Sequence, residues 1–324
     1  MTPFLTRLGR LAALAAAAAL LPACDSGRTT IHVHAADALA ISFRELEREF
    51  EKAHPEIDVR LDIMGSVLLT RFAPLKRADV VAVADHRLVE KILSPKHAAW
   101  VAQFATTEVV LARHRSSRRQ SEITQDNWYE ILLDPEIHYG YANPSQDPCG
   151  YYARFCWELA QKHYFASKGN DRPLARQLDE GCPDKHIARD ALSLISEHLN
   201  MARVDYAFVY RVHAIDLKLP HTRLPKEINL GDRRLAQDYG SVHVNVPDYR
   251  GGRETLTGSP IAFGITVLRE APRPEQAAEF VKFALSKEAQ AILVRSGFEP
   301  IAPARVPKWG ERPAFLEGLA EAEP

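Results

Sequence analysis

Apolar residues recur along this chain with two alternating periods. Phe43, Leu46 and Phe50 fall on one face of Ser42–His54, charged residues fill the other face, and Pro55 closes the segment, which predicts an amphipathic helix. Ile57, Val59, Leu61 and Ile63 then alternate with polar positions, the pattern of a strand with one buried face. Ala78–Ala84 is a nearly continuous apolar run, suited to a parallel strand covered on both sides. With the β-prone Thr30–His34 ahead of them, these segments give the strand–helix rhythm of an α/β lobe.

Further strands are predicted at Thr107–Ala112, Val204–Tyr210, Val242–Val246 and Pro260–Val267. Helices are predicted at Asn127–Leu133 with Asp126 as cap, at Tyr151–Phe165, and as a pair at Pro274–Leu285 and Lys287–Arg295 stopped by Gly297. The basic stretch Arg113–Arg119 reads as a solvated turn between lobes, and Gly140–Pro148 as a polar loop.

The first 24 residues follow a different logic. Arg7 and Arg10 precede an unbroken Leu/Ala run, Leu11–Leu21, too short to span a bilayer, and Leu21-Pro22-Ala23-Cys24 follows. The order of charge, apolar core and cleavage site predicts a signal peptide ending in a lipobox, with Cys24 acylated as a membrane anchor and Asp25 favouring the inner membrane. Residues 25–29 would be a tether. Removing Arg7 and Arg10 makes a chain of net charge −1 more acidic, which leaves no basic field for nucleic acid. Of the other cysteines, Cys182 could pair with Cys149 or with Cys156 in an oxidising compartment.

Several tracts resemble, in order, the molybdate/tungstate-binding proteins of ABC transporters: Ala78–Asp85, Pro95–Trp100, Phe104–Leu111, Asn143–Tyr152 with its Asp-Pro-Cys-Gly core, Asp205–Arg211, Leu224–Leu230, and Thr257–Pro260 with Gly264–Thr266. The resemblance covers about Thr30 to Ala304, with one poorly matching, shortened stretch at Ala166–Ser193. It implies an α/β, type II periplasmic-binding-protein fold: two α/β lobes with a ligand cleft at the hinge. The expected boundaries are residues 30–112 plus 268–310 for lobe 1 and 113–267 for lobe 2.

The resemblance also implies a ligand set. Ser66, after Gly65, is expected to offer a hydroxyl and helix-start N–H groups to a tetrahedral oxyanion. Asp147 matches a family carboxylate that completes a six-coordinate metal in the tungstate branch. Read from its residues alone, Asp147 would cap the turn before Pro148. Pro148 and Cys149 are expected in the same loop, contacting through backbone, and Tyr210 matches a tyrosine that contacts ligand through its hydroxyl.

Two positions depart from the family. Its first Gly-Ser falls on Asp37 and Ala38, which removes a hydroxyl and adds a carboxylate. Its second carboxylate falls on Leu192, which cannot coordinate, so Asp190 or Asp184 could substitute and Arg189 could supply positive charge. His32 and His34 share a strand face and, with Asp37, could ligate a divalent metal, although the commoner arrangement is a partly exposed strand edge.

No nucleophile elbow, H-E-x-x-H or phosphate loop occurs, so the expectation is a monomeric periplasmic binding protein without catalysis or cofactor. It would deliver molybdate or tungstate to an ABC permease in the inner membrane. A different oxyanion, a divalent metal or a sensory role are the alternatives.

Overall fold

The computed structural model describes residues 27–247 and 252–323. The predicted leader, Cys24 and the start of the tether therefore lie outside the described residues.

Among the described residues, fourteen strands follow in chain order. They are β1 (Thr29–Ala36), β2 (Ile57–Met64), β3 (Val80–Val83), β4 (Ala102–Thr106), β5 (Val109–Arg113), β6 (Tyr139–Ala142) and β7 (Ile187–Ala188). After these come β8 (Tyr206–Tyr210), β9 (His221–Arg223), β10 (His243–Pro247), β11 (Arg253–Thr257), β12 (Phe263–Val267), β13 (Glu299–Val306) and β14 (Ala320–Ala322). One sheet has the order β14-β13-β4-β12-β3-β1-β2, the other β7-β6-β8-β5-β9, and β10-β11 is a separate hairpin. Strand β1 lies parallel between β2 and β3, as its apolar neighbours on both sides require. Strand β12 runs antiparallel between β3 and β4, returning the chain to the first sheet from the second lobe.

The core follows the predicted faces. Phe43, Leu46 and Phe50 of the helix Ala40–Ala53 are buried, and Phe50 meets Phe280 of the helix Pro274–Ala284 edge-on at 5.3 Å between ring centroids. In the second lobe Phe208 of β8 packs between Trp128 and Trp157. The helix Pro148–Tyr164 presses so closely on β6 that a Cβ on Gly150 would lie 2.0 Å from the Ala142 carbonyl oxygen.

Several expectations shift. Strand β5 hydrogen-bonds to β8 and β9, so the first crossing between sheets lies at residues 107–108, several residues before the expected boundary at 112. The return lies ahead of β12, and β14 extends the first sheet past residue 310. The polar Thr106-Thr107-Glu108 separates the apolar residues of β4 from those of β5 and marks the break in the sequence. Arg113–Arg119 is accordingly no interlobe turn: it follows β5 within the second lobe, where Arg118 holds Asp205 at 2.6 Å. The helix at Trp128–Leu132 is preceded by Asn127 rather than capped by Asp126.

The expected disulfide does not form. Cys149, Cys156 and Cys182 are free, buried thiols, each in contact with a different carbonyl: Phe208 at 3.8 Å, Ile228 at 2.8 Å and Tyr139 at 3.3 Å. Burial raises all three thiols, Cys182 to about 12, which makes them poor nucleophiles for exchange.

Candidate functional site

The two lobes meet along a seam built from loop and helix starts at the strand ends. From the first lobe come Gly65 and the helix Ser66–Phe72, the turn after β3, and Asp37 after β1. Gly65 is required here: a Cβ would lie 2.6 Å from the Gln146 carbonyl oxygen of the opposite lobe. That carbonyl accepts the helix-start N–H groups of Val67 at 3.1 Å and Leu68 at 3.4 Å. Beside them, Tyr151 of the second lobe donates to Asp85 Oδ2 at 2.8 Å. Arg87 pairs with Asp85 at 2.7 Å and donates to the Thr257 carbonyl at 2.9 Å, spanning the lobes again. Burial alone would raise the Asp85 carboxyl, but the charge and hydrogen bonds of Arg87 outweigh it and bring it to about 2. The lobes are therefore closed on each other.

Ser66, fully buried, begins its helix, and its Oγ accepts the Ala84 N–H at 2.9 Å, which leaves the hydroxyl proton to donate elsewhere. Asp147, also fully buried, is the N-cap of the helix Pro148–Tyr164. Its Oδ1 accepts the Cys149 N–H at 2.9 Å and its Oδ2 accepts the Ala191 N–H at 3.0 Å. The capping role read from the residues alone is thus realised, and it ties two helix starts together. Cys149 spends its N–H on this cap, and Pro148 has none to give.

The next N–H along, that of Leu192, is accepted by Asp37 Oδ2 at 3.3 Å. Two carboxylates from opposite lobes therefore accept from adjacent backbone N–H groups at one helix start. Burial, and then the charge of Asp37, raise the Asp147 carboxyl well above the ordinary range, against the pull of its two backbone donors. His213 Nε2 stands 3.5 Å from Asp37 Oδ2, and the His213 ring lies parallel to Tyr210 at 5.9 Å between centroids. The Tyr210 hydroxyl, Asp37 Oδ1 and both His213 ring nitrogens are buried without a hydrogen-bond partner. Unsatisfied buried polar atoms are costly, about 1–3 kcal/mol each, so their convergence makes this seam the candidate site.

The remaining candidates divide. Ala38 is buried beside Asp37, and Leu192 is half-buried and enters the seam through its backbone. Asp190 is occupied as a helix cap, accepting the Ser193 N–H at 2.8 Å and pairing with Arg189 at 2.9 Å. Asp184 is on the surface, and the Arg189 side chain is 64% exposed, so neither enters the seam. Instead Asp37, the residue that marked the departure, places a second carboxylate opposite Asp147. His34 is buried 3.0 Å from Asp62, His32 is exposed, and Asp37 turns to His213 instead. Among the described residues no group of three or more His, Cys, Asp or Glu could hold a metal ion.

Sequence reasoning missed Asp85, Arg87 and His213. Asp85 and Arg87 follow an apolar parallel strand, where α/β proteins commonly build ligand sites, and that position was the available signal. His213 carried none: its partner Asp37 is distant in sequence.

The model of the family described as "bacterial extracellular solute-binding protein" matches residues 31–299. The chain belongs to this family. It is 30% identical over 351 residues to the molybdate/tungstate-binding protein WtpA of Pyrococcus abyssi, covering 97% of this chain and 99% of that one. An uncharacterized solute-binding protein of Petrotoga mobilis is 33% identical over 276 residues, 84% of each chain. The periplasmic molybdate-binding protein of Azotobacter vinelandii superposes with a TM-score of 0.60 at 16% identity, over 83% of this chain and 98% of that one, a likeness of fold. The type II periplasmic-binding fold and the resemblance to the molybdate/tungstate ABC-transporter family both hold, and the relatives are extracytoplasmic binding proteins rather than enzymes.

Proposed function

We propose that this protein is the capture subunit of an ABC importer, anchored through acylated Cys24, which closes its lobes over molybdate or tungstate and presents the closed form to a membrane permease. The observation that carries the reading is the set of buried, unpartnered groups on the seam: the Tyr210 hydroxyl and the His213 ring, beside the free proton of the Ser66 hydroxyl. Two lobes contribute them, so closure brings the full donor set together.

The carboxylates set the terms. Two unit charges 4 Å apart repel by about 4 kcal/mol even at an effective dielectric of 20, so a dianion cannot enter beside two ionised carboxylates without compensation. Asp147, already biased toward its protonated form, relieves this by donating a hydrogen bond to an anion oxygen, and His213 beside Asp37 offers a ring N–H as a further donor. Pro148 and Cys149 form the wall behind Asp147, with Ala38 and the Leu192 backbone opposite. Sulfate, smaller and harder to protonate, fits this arrangement poorly.

Calorimetry with tungstate, molybdate, sulfate and phosphate tests the reading. Tight binding of the first two with weak sulfate binding is expected; no heat with either, together with saturable heat for phosphate or a divalent cation, refutes it. Labelling with a radioactive fatty acid, lost in Cys24→Ala, tests the anchor, and a soluble, unlabelled wild type refutes that part.

A further inference from the structure

Behind the seam, on the far side of the hinge, a cavity of about 410 Å³ is lined from both lobes. The first lobe contributes the crossing residues Thr106–Glu108 and the segment from Gly297 to Ile301; the second contributes Arg211 and residues from Arg223 to Arg234. Five cations, Arg211, Arg223, Lys226, Arg233 and Arg234, face three carboxylates, Glu108, Asp232 and Glu299. Their pairing is uneven. Glu108 is taken by Arg223 at 2.7 Å and by Asn229 at 2.7 Å, and Asp232 by Arg234 at 2.7 Å. Arg211 is left with a loose ion pair to Glu108 at 3.5 Å and a long hydrogen bond to the Gly297 carbonyl at 3.4 Å. No acid stands within ion-pair distance of the Lys226 or Arg233 side chain among the described residues.

Three buried polar atoms on this wall, Thr107 Oγ1, Arg211 Nε and Glu108 Oε1, have no hydrogen-bond partner, although Glu108 Oε1 is ion-paired with Arg223 at 2.7 Å. Thr107 itself is only 4% exposed. Donors without acceptors beside unneutralised guanidinium and ammonium groups ask for an acceptor-rich anion, and a planar guanidinium matches phosphate or carboxylate oxygens. The volume exceeds ten times the ~30 Å³ share of a water molecule in the liquid, far more than a bare tetrahedral anion fills.

We propose that this rear pocket is a second anion site, for a small organic molecule carrying a phosphate group, and that its occupancy holds the two lobes in the closed pose. The route is short. Tyr210 ends β8 at the cleft, Arg211 starts the next helix at the rear pocket, and His213 on that helix reaches Asp37 of the first lobe. A phosphate bridging Arg211 to Thr107 and the 297–301 segment fixes this helix against the first lobe, in the register that places His213 in the cleft.

The test is a calorimetric titration of tungstate-saturated protein with inorganic phosphate and with glucose 6-phosphate, glucose serving as the uncharged control. Saturable binding is expected for both phosphates, tighter for the sugar phosphate, and weaker by tenfold or more in the Lys226→Gln/Arg233→Gln double variant and in Arg211→Gln. The double variant changes no buried or paired group, so it separates lost binding from lost folding. In the presence of the sugar phosphate, the tungstate Kd should tighten by about fivefold or more, reciprocally. Absence of saturable binding at millimolar phosphate, or equal binding in the double variant, overturns the site, and an unchanged tungstate Kd overturns the coupling. A wild type that binds no tungstate refutes the cleft reading instead; the same phosphate titrations on the anion-free protein then still decide the rear pocket.

Discussion

The cleft and the rear pocket differ in how each would hold an anion, although the four residues Tyr210 to His213 serve both. The rear pocket is open and rich in cations; Arg223, Arg233 and Arg234 are exposed, the Arg234 side chain 85%, and Arg211 is half-buried. The cleft has no arginine or lysine at its centre: Asp37, Asp147, Ser66, Tyr210 and His213 are all buried there. A hydrated cation attracts any anion and discriminates little, whereas a buried neutral donor rewards only a ligand that replaces every hydrogen bond it loses from water. On the proposed function, selectivity would belong to the acid-lined seam, and long-range attraction to the basic face behind it.

The strongest way to break this contrast is to delete the neutral donors. Tyr210→Phe or Ser66→Ala removes one hydrogen bond to a charged ligand, worth about 1.5–3 kcal/mol, so the tungstate Kd should rise by about 10- to 150-fold in calorimetry. A change under about threefold in both variants would show that charge, not neutral donors, does the holding.

Next comes the cap. Asp147→Ala leaves the buried Ala191 N–H without its acceptor and strips the helix Pro148–Tyr164 of its N-cap. The cap alone is worth about 1 kcal/mol and the orphaned donor about 1–3 kcal/mol, offset by relief from the repulsion with Asp37. The expected outcome is a net destabilisation of about 2 kcal/mol by denaturant unfolding. A more stable variant would mean that the carboxylate pair costs more than its caps return, so that Asp147 is retained for ligand alone.

What the sequence made legible follows the same divide. The lobes, their helices and the Asp147 loop could be read because periodicity and an N-cap before proline are local signals. Ser66 was legible from a Gly-Ser turn joined to the family resemblance. The compensation for Leu192 was not: Asp37 and Leu192 meet only through tertiary closure, and of the substitutes offered for Leu192, Asp190 is spent as a cap and Asp184 lies on the surface. The crossing at Thr107-Glu108 was missed for a related reason: the polar Thr106-Thr107-Glu108 separates two apolar strands, but only their tertiary pairing places them in different sheets. The expected disulfide failed because cysteine arithmetic counts thiols without knowing where packing sends them.

A gentler probe sharpens the electrostatic side. The folded Asp147 carboxyl is raised above its unfolded value of about 4. The folded protein therefore holds a proton that the unfolded chain releases, and the stability this adds is complete below about pH 4 and lost as pH rises through the folded value. Unfolding free energy of the anion-free protein should fall with pH across that window, by at most about 1.4 kcal/mol per unit for one proton. Asp147→Asn should flatten the slope. An equal slope in the variant would assign the proton to a group other than Asp147.

The smallest expected effect separates the two regions most cleanly. Raising the salt from 0.1 to 1 M shortens the Debye length from about 10 Å to about 3 Å, which screens hydrated charges and hardly reaches desolvated ones. Phosphate affinity at the rear pocket should drop steeply, because Lys226 and Arg233 are exposed and act through water. The tungstate Kd at the cleft should move by less than about threefold, because its donors are buried and its charges compensate one another within the seam. A steep salt dependence at the cleft would mean that anions are gathered by the basic face and only then sorted, making the hinge arginines part of capture itself.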